Sequence, residues 1–309
     1  MNTMTNRTDP MVTVRALKSA APYIRIFKGK VFVIKASGGV FGNPDATRAL
    51  MEQVAILHQV GIRVVVVHGG GEQLTGIQQS MGIETKMVAG RRVTDAKSIE
   101  VTSMVLNGLV NTQILGICRE LSINAVGVSG VDAGLIRAHK RPPVVVAGET
   151  VDYGFVGDID LVDAKVLQQL LDDGLMPVVS PVSCDDKGIL LNINADTVAA
   201  ALGAALKAEK LLLVTGAPGI MESLEDPHSL VSYTDIAGLK RLKDQGSLKD
   251  GMLPKAKAIE DAIRGGVRRV HCISYKTPDS VLAEVFTNEG TGTLIVEDIK
   301  GLSAAEQGN

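Results

Sequence analysis

Val64-Val65-Val66-Val67-His68-Gly69-Gly70-Gly71-Glu72 runs four β-branched residues into three glycines and then into a helix-forming stretch. An unbroken apolar run of this length suits a strand covered on both faces, and both faces are covered where crossover helices pack on a parallel sheet. The glycines after it let backbone approach a ligand closely, and the N–H groups at the start of the following helix form a site for a phosphate or carboxylate. The same turn also occurs where a strand and a helix merely pack tightly. GxGxxG is absent, which argues against a dinucleotide site, and GxxxxGK[ST] occurs nowhere in the chain.

Working outward, short β-branched runs alternate with helical patterns. Val31 to Lys35 reads as a buried first strand, Asn43-Pro44 opens a helix that Gly61 stops, and Thr85 to Thr94 reads as a hairpin outside the sheet. Asp95 caps a long helix. Strands are expected at Ile123 to Val128, Pro177 to Ser180, Ile189 to Ile193, Lys210 to Val214 and Arg269 to Ile273, with helices at Asp163 to Asp173, Ala195 to Leu206, near Thr234 and near Lys255. The class is α/β: an open, mainly parallel sheet with helices on both faces, in two lobes. The pattern divides into an amino-terminal arm (1–27), a first lobe (28–188) and a second (189–309), with the lobe boundary near Gly188. In the arm, Val14, Leu17, Ala21 and Ile24 recur at helical spacing, and Pro22 should bend or divide that helix.

Four further places can carry chemistry. Lys35 closes the first strand before Ala36-Ser37-Gly38-Gly39, where open α/β sheets bind ligands, or it snorkels to the surface. Gly246 to Lys257 is a glycine-flanked loop entering a helix at Pro254, with Lys255 and Lys257 available to meet negative charge or to form a solvated basic face. Asn192-Ile193-Asn194-Ala195-Asp196 either caps the next helix or holds a substrate at the lobe junction. Arg91 and Arg92 lie on the outer hairpin, where one of them can take a carboxylate by a bidentate contact. Separate lysines beside an anion site are the parts of a phosphoryl-transfer centre that works by charge stabilisation.

Composition narrows the field. With 32 Lys+Arg against 34 Asp+Glu, the net charge of -2 matches neither a nucleic-acid binder nor a polybasic membrane protein. Aromatic residues make up 3% of the chain and Trp is absent, so base-stacking platforms have little material and recognition should be polar. Cys118, Cys184 and Cys272 have no metal-ligand spacing, so no metal is expected on protein side chains. The polar amino terminus lacks the apolar core of a secretion signal, and the expected location is the cytoplasm, with no membrane partner.

Taken together, Phe32-Val33-Ile34-Lys35, His68-Gly69-Gly70-Gly71, Arg92-Val93-Thr94-Asp95, Asn192-Ile193-Asn194-Ala195-Asp196 and Gly251-Met252-Leu253-Pro254-Lys255 resemble, in order and over nearly the whole chain, the amino acid kinase family, and within it the acetylglutamate kinase branch. The resemblance implies phosphorylation of the side-chain carboxylate of N-acetyl-L-glutamate by ATP, with Mg2+ arriving on the nucleotide. It implies that Lys35 and Lys255 stabilise the transferring phosphoryl group, that Asp196 orients the lysines, that Gly70 and Gly71 contact substrate through backbone N–H groups, and that Arg92 and Asn192 hold its α-carboxylate end. An alternative is a non-catalytic, arginine-binding module like that of N-acetylglutamate synthase, which Val267 to Tyr275 resembles, or a kinase for a related amino acid.

The arm resembles the amino-terminal helix of the arginine-inhibited, hexameric members, which implies a homohexamer built as a trimer of dimers and an arginine effector site at Tyr23, His271, Glu284 and Gly290. Departures from the family pattern are Ser37 in place of the first glycine after the lysine, Glu72 in place of proline after the three glycines, Gly216 in place of the Asp that commonly follows the Thr at 215, and Ser274-Tyr275-Lys276 in place of Asp-Gly-Arg.

Overall fold

In the computed structural model, which describes residues 10–301 apart from 224, 227, 249 and 250, the chain opens with α1 (Pro10–Phe27) and enters β1 (Val31–Ala36). Residues 1–9 of the expected arm, and Lys249 and Asp250 of the loop before Lys255, lie outside the described residues. Pro22 does not divide α1: the helix runs through it to Phe27, which is buried with its ring 5.3 Å from that of Phe32 in an edge-on contact.

A short turn, α2 (Gly38–Phe41), precedes α3 (Pro44–Gln59). Asn43 fixes the start of α3, its Oδ1 accepting from the N–H groups of Asp45 and Ala46, while Pro44 takes a first-turn position where no hydrogen bond is lost. β2 (Arg63–His68) and α4 (Gly71–Ser80) follow, then the expected outer hairpin, β3 (Met87–Val88) with β4 (Arg91–Arg92). Asp95 opens α5 (Ala96–Ser103) by accepting from the N–H of Ser98. A π-helical stretch, Met104–Val110, leads on into α6 (Asn111–Glu120). This composite helix is long and apolar enough to cross a bilayer, yet Val101, Val105, Leu106, Val110 and Ile114 are buried in the core.

The chain continues through β5 (Ala125–Ser129), β6 (Ile136–Lys140), β7 (Val144–Val146), β8 (Glu149–Val151), β9 (Gly157–Val162), α7 (Lys165–Asp172), β10 (Met176–Ser180), β11 (Val182–Cys184) and β12 (Leu190–Asn192). Its last third is α8 (Ala195–Ala205), β13 (Lys210–Thr215), β14 (Tyr233–Asp235), α9 (Ile236–Asp244), α10 (Met252–Arg264), β15 (Arg269–Ser274), α11 (Ser280–Phe286) and β16 (Thr293–Val296).

Eight strands form one sheet in the order β14-β16-β15-β13-β1-β2-β10-β5, parallel from β15 to β5 and reversed at β16 and β14. The buried strands alternate between two cores: Val33, Val65, Val67, Leu211 and Leu213 face α8 and α10, while Phe32, Ile34, Val64, Val66 and Leu212 face α3 and α6. A second sheet has the order β12-β11-β6-β9. β1 sits where the sheet order reverses, with β2 on one side and β13 on the other, and in such sheets ligands bind in the crevice at that reversal.

Candidate active site

Lys35 reaches this crevice from the end of β1, in register with Val67 of β2 and Leu213 of β13. Asp196 comes from the first turn of α8, whose cap is Asn194: the Asn194 Oδ1 accepts from the N–H groups of Asp196 and Thr197. Capping is therefore complete without the Asp196 carboxylate, which stands 2.8 Å from Lys35 Nζ through Oδ1 and 2.9 Å from Lys255 Nζ through Oδ2. Lys255 is held in the first turn of α10, one residue after Pro254. The expected trio is assembled, and Lys35, Asp196 and Lys255 are 6%, 7% and 7% exposed, so a net positive charge is buried.

Burial acts most strongly on Asp196 and on Lys35. It pushes the Asp196 pKa up, but the two ammonium groups together overcome it and hold the carboxyl well below its ordinary value. It pulls Lys35 down, and the repulsion of Lys255 adds to that pull while Asp196 opposes it. The Lys35 contact is ionic without hydrogen-bond alignment, which leaves Oδ1 short of a true donor. The trio is thus a buried cationic site in need of an anion.

The glycine turns form the wall beside it. Gly69 N–H donates to Ala36 O at 2.8 Å, and a Cβ at Gly38 would lie 3.1 Å from Gly71 N and 3.3 Å from Gly70 N. Two glycine-rich turns therefore interlock with room for backbone alone. Ser37 fits without strain, at φ -72 and ψ 160, and donates its N–H to Val214 O, so a glycine is not needed there. Glu72 leans over α2: its Oε1 and the Tyr275 hydroxyl lie 3.2 and 3.1 Å from the position of a Cβ on Gly39. Gln73, which the sequence did not single out, donates from Nε2 to Gly38 O at 2.9 Å and ties the two turns together.

A cleft of about 250 Å³ opens between Gly69–Gly71, Leu106, the arginines of β4 and the segment 192–195. Asn192 donates from Nδ2 to Thr94 Oγ1 at 3.3 Å. Arg92 lines the cleft and is at the same time held against α4. Its Nη1 donates to Gln78 Oε1 and Thr85 Oγ1, its Nη2 to Gly71 O and Thr75 Oγ1, so Nε alone remains for a ligand.

The residues expected to hold arginine also meet, at a larger cavity of about 550 Å³ between α1 and the segment 284–294. Tyr23 donates its hydroxyl to Asn288 Oδ1 at 2.6 Å, and His271 Nδ1 lies 2.7 Å from Glu284 Oε2. Glu284 Oε1 accepts from the N–H groups of Thr291 and Gly292, and Gly290 turns beside it at φ +58. Burial, and after it the charge of Lys210, lowers the His271 pKa to about 4. Burial works to raise Glu284, but His271 and the two backbone N–H groups bring it to about 2. Lys210 and Asn288 are additional lining residues that the sequence reading missed. A lysine opening a strand reads as a surface residue until the sheet order places β13 between β1 and β15.

This geometry asks for reactants that are themselves anions, one met by backbone N–H groups and one by paired lysines. The chain belongs to the amino acid kinase family, whose sequence profile matches residues 30–274. It is similar to the acetylglutamate kinase of Myxococcus xanthus, 45% identical over 289 residues that cover 92% of this chain and 94% of the relative. Among solved structures, it resembles the N-acetylglutamate synthase of Neisseria gonorrhoeae complexed with coenzyme A and N-acetyl-glutamate, with a TM-score of 0.78 and 26% identity over 92% of this chain and 63% of that one. The same synthase complexed with coenzyme A and L-arginine gives 0.77 and 25%, over 92% of this chain and 65% of that one.

Proposed function

We propose that the protein transfers the γ-phosphoryl group of ATP to the side-chain carboxylate of N-acetyl-L-glutamate, giving ADP and N-acetyl-L-glutamyl 5-phosphate, as a cytoplasmic step of arginine biosynthesis. The observation that carries this reading is the single carboxylate of Asp196 holding Lys35 and Lys255 at the sheet crevice beside the glycine turns. The substrate carboxylate is the nucleophile: one of its oxygens bonds to phosphorus as the bond to the leaving ADP oxygen breaks. No protein nucleophile is required, and the lysines oppose the charge spread over the transferring oxygens. Asp196 keeps the two ammonium groups close together until phosphate replaces it as their partner. Gly70 and Gly71 present N–H groups to the acyl amino acid, and Arg92 and Asn192 meet its α-carboxylate end, Arg92 through its remaining Nε–H.

Among the described residues no His, Cys, Asp and Glu cluster could hold a metal ion, and both oxygens of Asp196 face lysines. Mg2+ is accordingly read as part of the incoming nucleotide. An ADP-release assay with N-acetylglutamate, glutamate, aspartate and N-acetylaminoadipate tests the proposal. Release with N-acetylglutamate supports it, and no release with any of them favours the arginine-binding module instead.

A second reading adds control by arginine. It is supported by the cavity that gathers Tyr23, His271, Glu284 and Gly290, and by the likeness to a synthase solved with L-arginine. The exposed Met11, Val14 and Leu17 of α1 support a helix that joins dimers into a hexamer.

A further inference from the structure

Glu72, Gly216 and Tyr275 are separate departures in the sequence, and the fold brings them together at the turn after β1. Tyr275 follows the last residue of β15, and its N–H donates to Thr215 O at 2.9 Å, which fixes it beside the end of β13. The ring lies along Gly216: a Cβ there would be 3.6 Å from Tyr275 Cε1 and 3.7 Å from the hydroxyl oxygen. The same hydroxyl reaches α2, where it lies 3.1 Å from the position of a Cβ on Gly39. Glu72 arrives at that point from the first turn of α4, with Oε1 3.2 Å from the Cβ position of Gly39 and Oε2 3.6 Å from that of Gly42.

In the sheet, β15 and β2 stand on opposite sides of β1, and α4 follows β2. A phenol donor and a carboxylate acceptor are therefore aimed at one point from the two sides of the crevice. Among the described residues, neither side chain makes a hydrogen bond or ion pair with any other. Glycine at position 39 leaves the point between them open. The ring also has room to turn, since it borders a cavity of about 110 Å³ lined by Ala46, Ala49, Leu50 and Val214.

We propose that Glu72 and Tyr275 are a positioning pair: the Tyr275 hydroxyl donates to the Glu72 carboxylate over Gly39 when the two sides of the crevice close on bound reactants, and the bond holds that closed setting around Lys35, Asp196 and Lys255. Neither residue touches a reactant. A bond made only in the closed setting lowers the cost of closing, so it serves both reactants alike. Whichever binds first meets that cost, and the second finds the crevice already closed. The identity of the reactants rests on the kinase reading above, and the test separates the two.

Calorimetry measures the binding of ADP and of N-acetyl-L-glutamate, each alone and each with the other saturating, to the wild type, Tyr275→Phe, Glu72→Ala, the double variant and Gly39→Ala. Tyr275→Phe and Glu72→Ala should each weaken both reactants alone by the same factor, about tenfold for a hydrogen bond to a charged acceptor, and change far less the binding of either once the other is present. The double variant should lose no more than one single variant, and Gly39→Ala, whose methyl group fills the gap, should behave like them. Glu72→Gln keeps an oxygen acceptor and should recover part of the loss, with the thermal midpoint of each unliganded protein unchanged. The chain has four tyrosines, so after fluorotyrosine labelling the fluorine resonance missing from Tyr275→Phe belongs to Tyr275; both reactants together should move it in the wild type and not in Glu72→Ala. Unchanged affinities, a loss confined to ADP whether or not the acid is present, or a double variant that loses the product of the two singles overturns the pair. The expected pattern without phosphoryl transfer by the wild type overturns the kinase reading and leaves the pair standing, whereas a wild type that binds neither reactant overturns both.

Discussion

Lys35 and Asp196 meet at 2.8 Å from the two halves of the chain, Lys35 on β1 and Asp196 at the start of α8. The same carboxylate also holds Lys255 of α10, so three elements that converge on the sheet crevice are joined through one buried anion. Removing it should separate catalysis from substrate binding. Asp196→Asn leaves two buried ammonium groups facing a neutral amide. Breaking one side of a buried ion pair typically costs about 3–5 kcal/mol, so the urea midpoint should fall, and added ATP should recover more stability than it gives the wild type. Turnover should drop by about a hundredfold or more. A variant with wild-type stability and turnover would show that the lysines do not need Asp196.

The lysines differ in what their loss leaves behind. Lys35→Met and Lys255→Met each keep Asp196 paired with the remaining lysine, so folding should change less than in Asp196→Asn. Each should lose about a hundredfold or more in kcat, and the double variant should lose less than the product of the two, because the groups act on one transferring phosphoryl. Near-normal kcat in either single variant, with nucleotide bound, would remove that lysine from the reaction.

His68 ends β2 just before the glycine turn and is fully buried. Its Nδ1 lies 3.0 Å from Gly69 O and its Nε2 lies 3.2 Å from Asn111 Nδ2, which together fit a neutral ring that donates at Nδ1 and accepts at Nε2. Burial lowers its pKa from 6.5 to about 4. The unfolded chain therefore binds the extra proton first, so folding stability falls as pH drops from about 6.5 to about 4 and is unaffected by this group above that window. The contribution is on the order of 3 kcal/mol by pH 4. In urea titrations at stepped pH, His68→Gln should lose stability less steeply than the wild type across this window. Parallel curves would mean that His68 is not held neutral by the fold.

What the sequence made legible were features that local chemistry decides. Runs such as Val64–Val67 need two covered faces, Asn43 and Asp95 cap helices by their own side chains, and glycines after strands mark the turns. Lys35, Asp196 and Lys255 could be proposed because each sits at the end of an element where crevices form. Features created by pairing between distant segments stayed hidden. Arg92 was expected near substrate and lines the cleft, but its bonds to Gln78, Thr75 and Thr85 arise only once α4 and the hairpin are set side by side. Gly154 carries no signal in sequence, yet at φ +73 a Cβ there would lie 2.2 Å from Thr94 O, at the bridge that sets Thr94 beside Asn192. The undivided α1 belongs with these: Pro22 is tolerated while Phe27 anchors the helix end against Phe32.

That anchor decides how the arginine reading is tested. Because Phe27 belongs to the core, a truncation through residue 27 would open the core as well as remove the helix, whereas removing residues 1–21 takes the exposed Met11, Val14 and Leu17 and leaves Tyr23 and Phe27 in place. The full chain should have the mass of a hexamer by light scattering, and the truncated chain that of a dimer with kcat retained. Arginine should lower the activity of the full chain, because binding at the cavity between α1 and α11 favours one setting of the helix and hence one arrangement of the ring. The dimer has no ring to bias and should ignore arginine. Tyr23→Phe removes only the hydroxyl bonded to Asn288. At about 1 kcal/mol for one hydrogen bond, it should raise the arginine concentration for half-inhibition about fivefold with the hexamer intact. A truncated protein that stays hexameric, or a dimer that arginine still inhibits, would show that α1 does not transmit the effect.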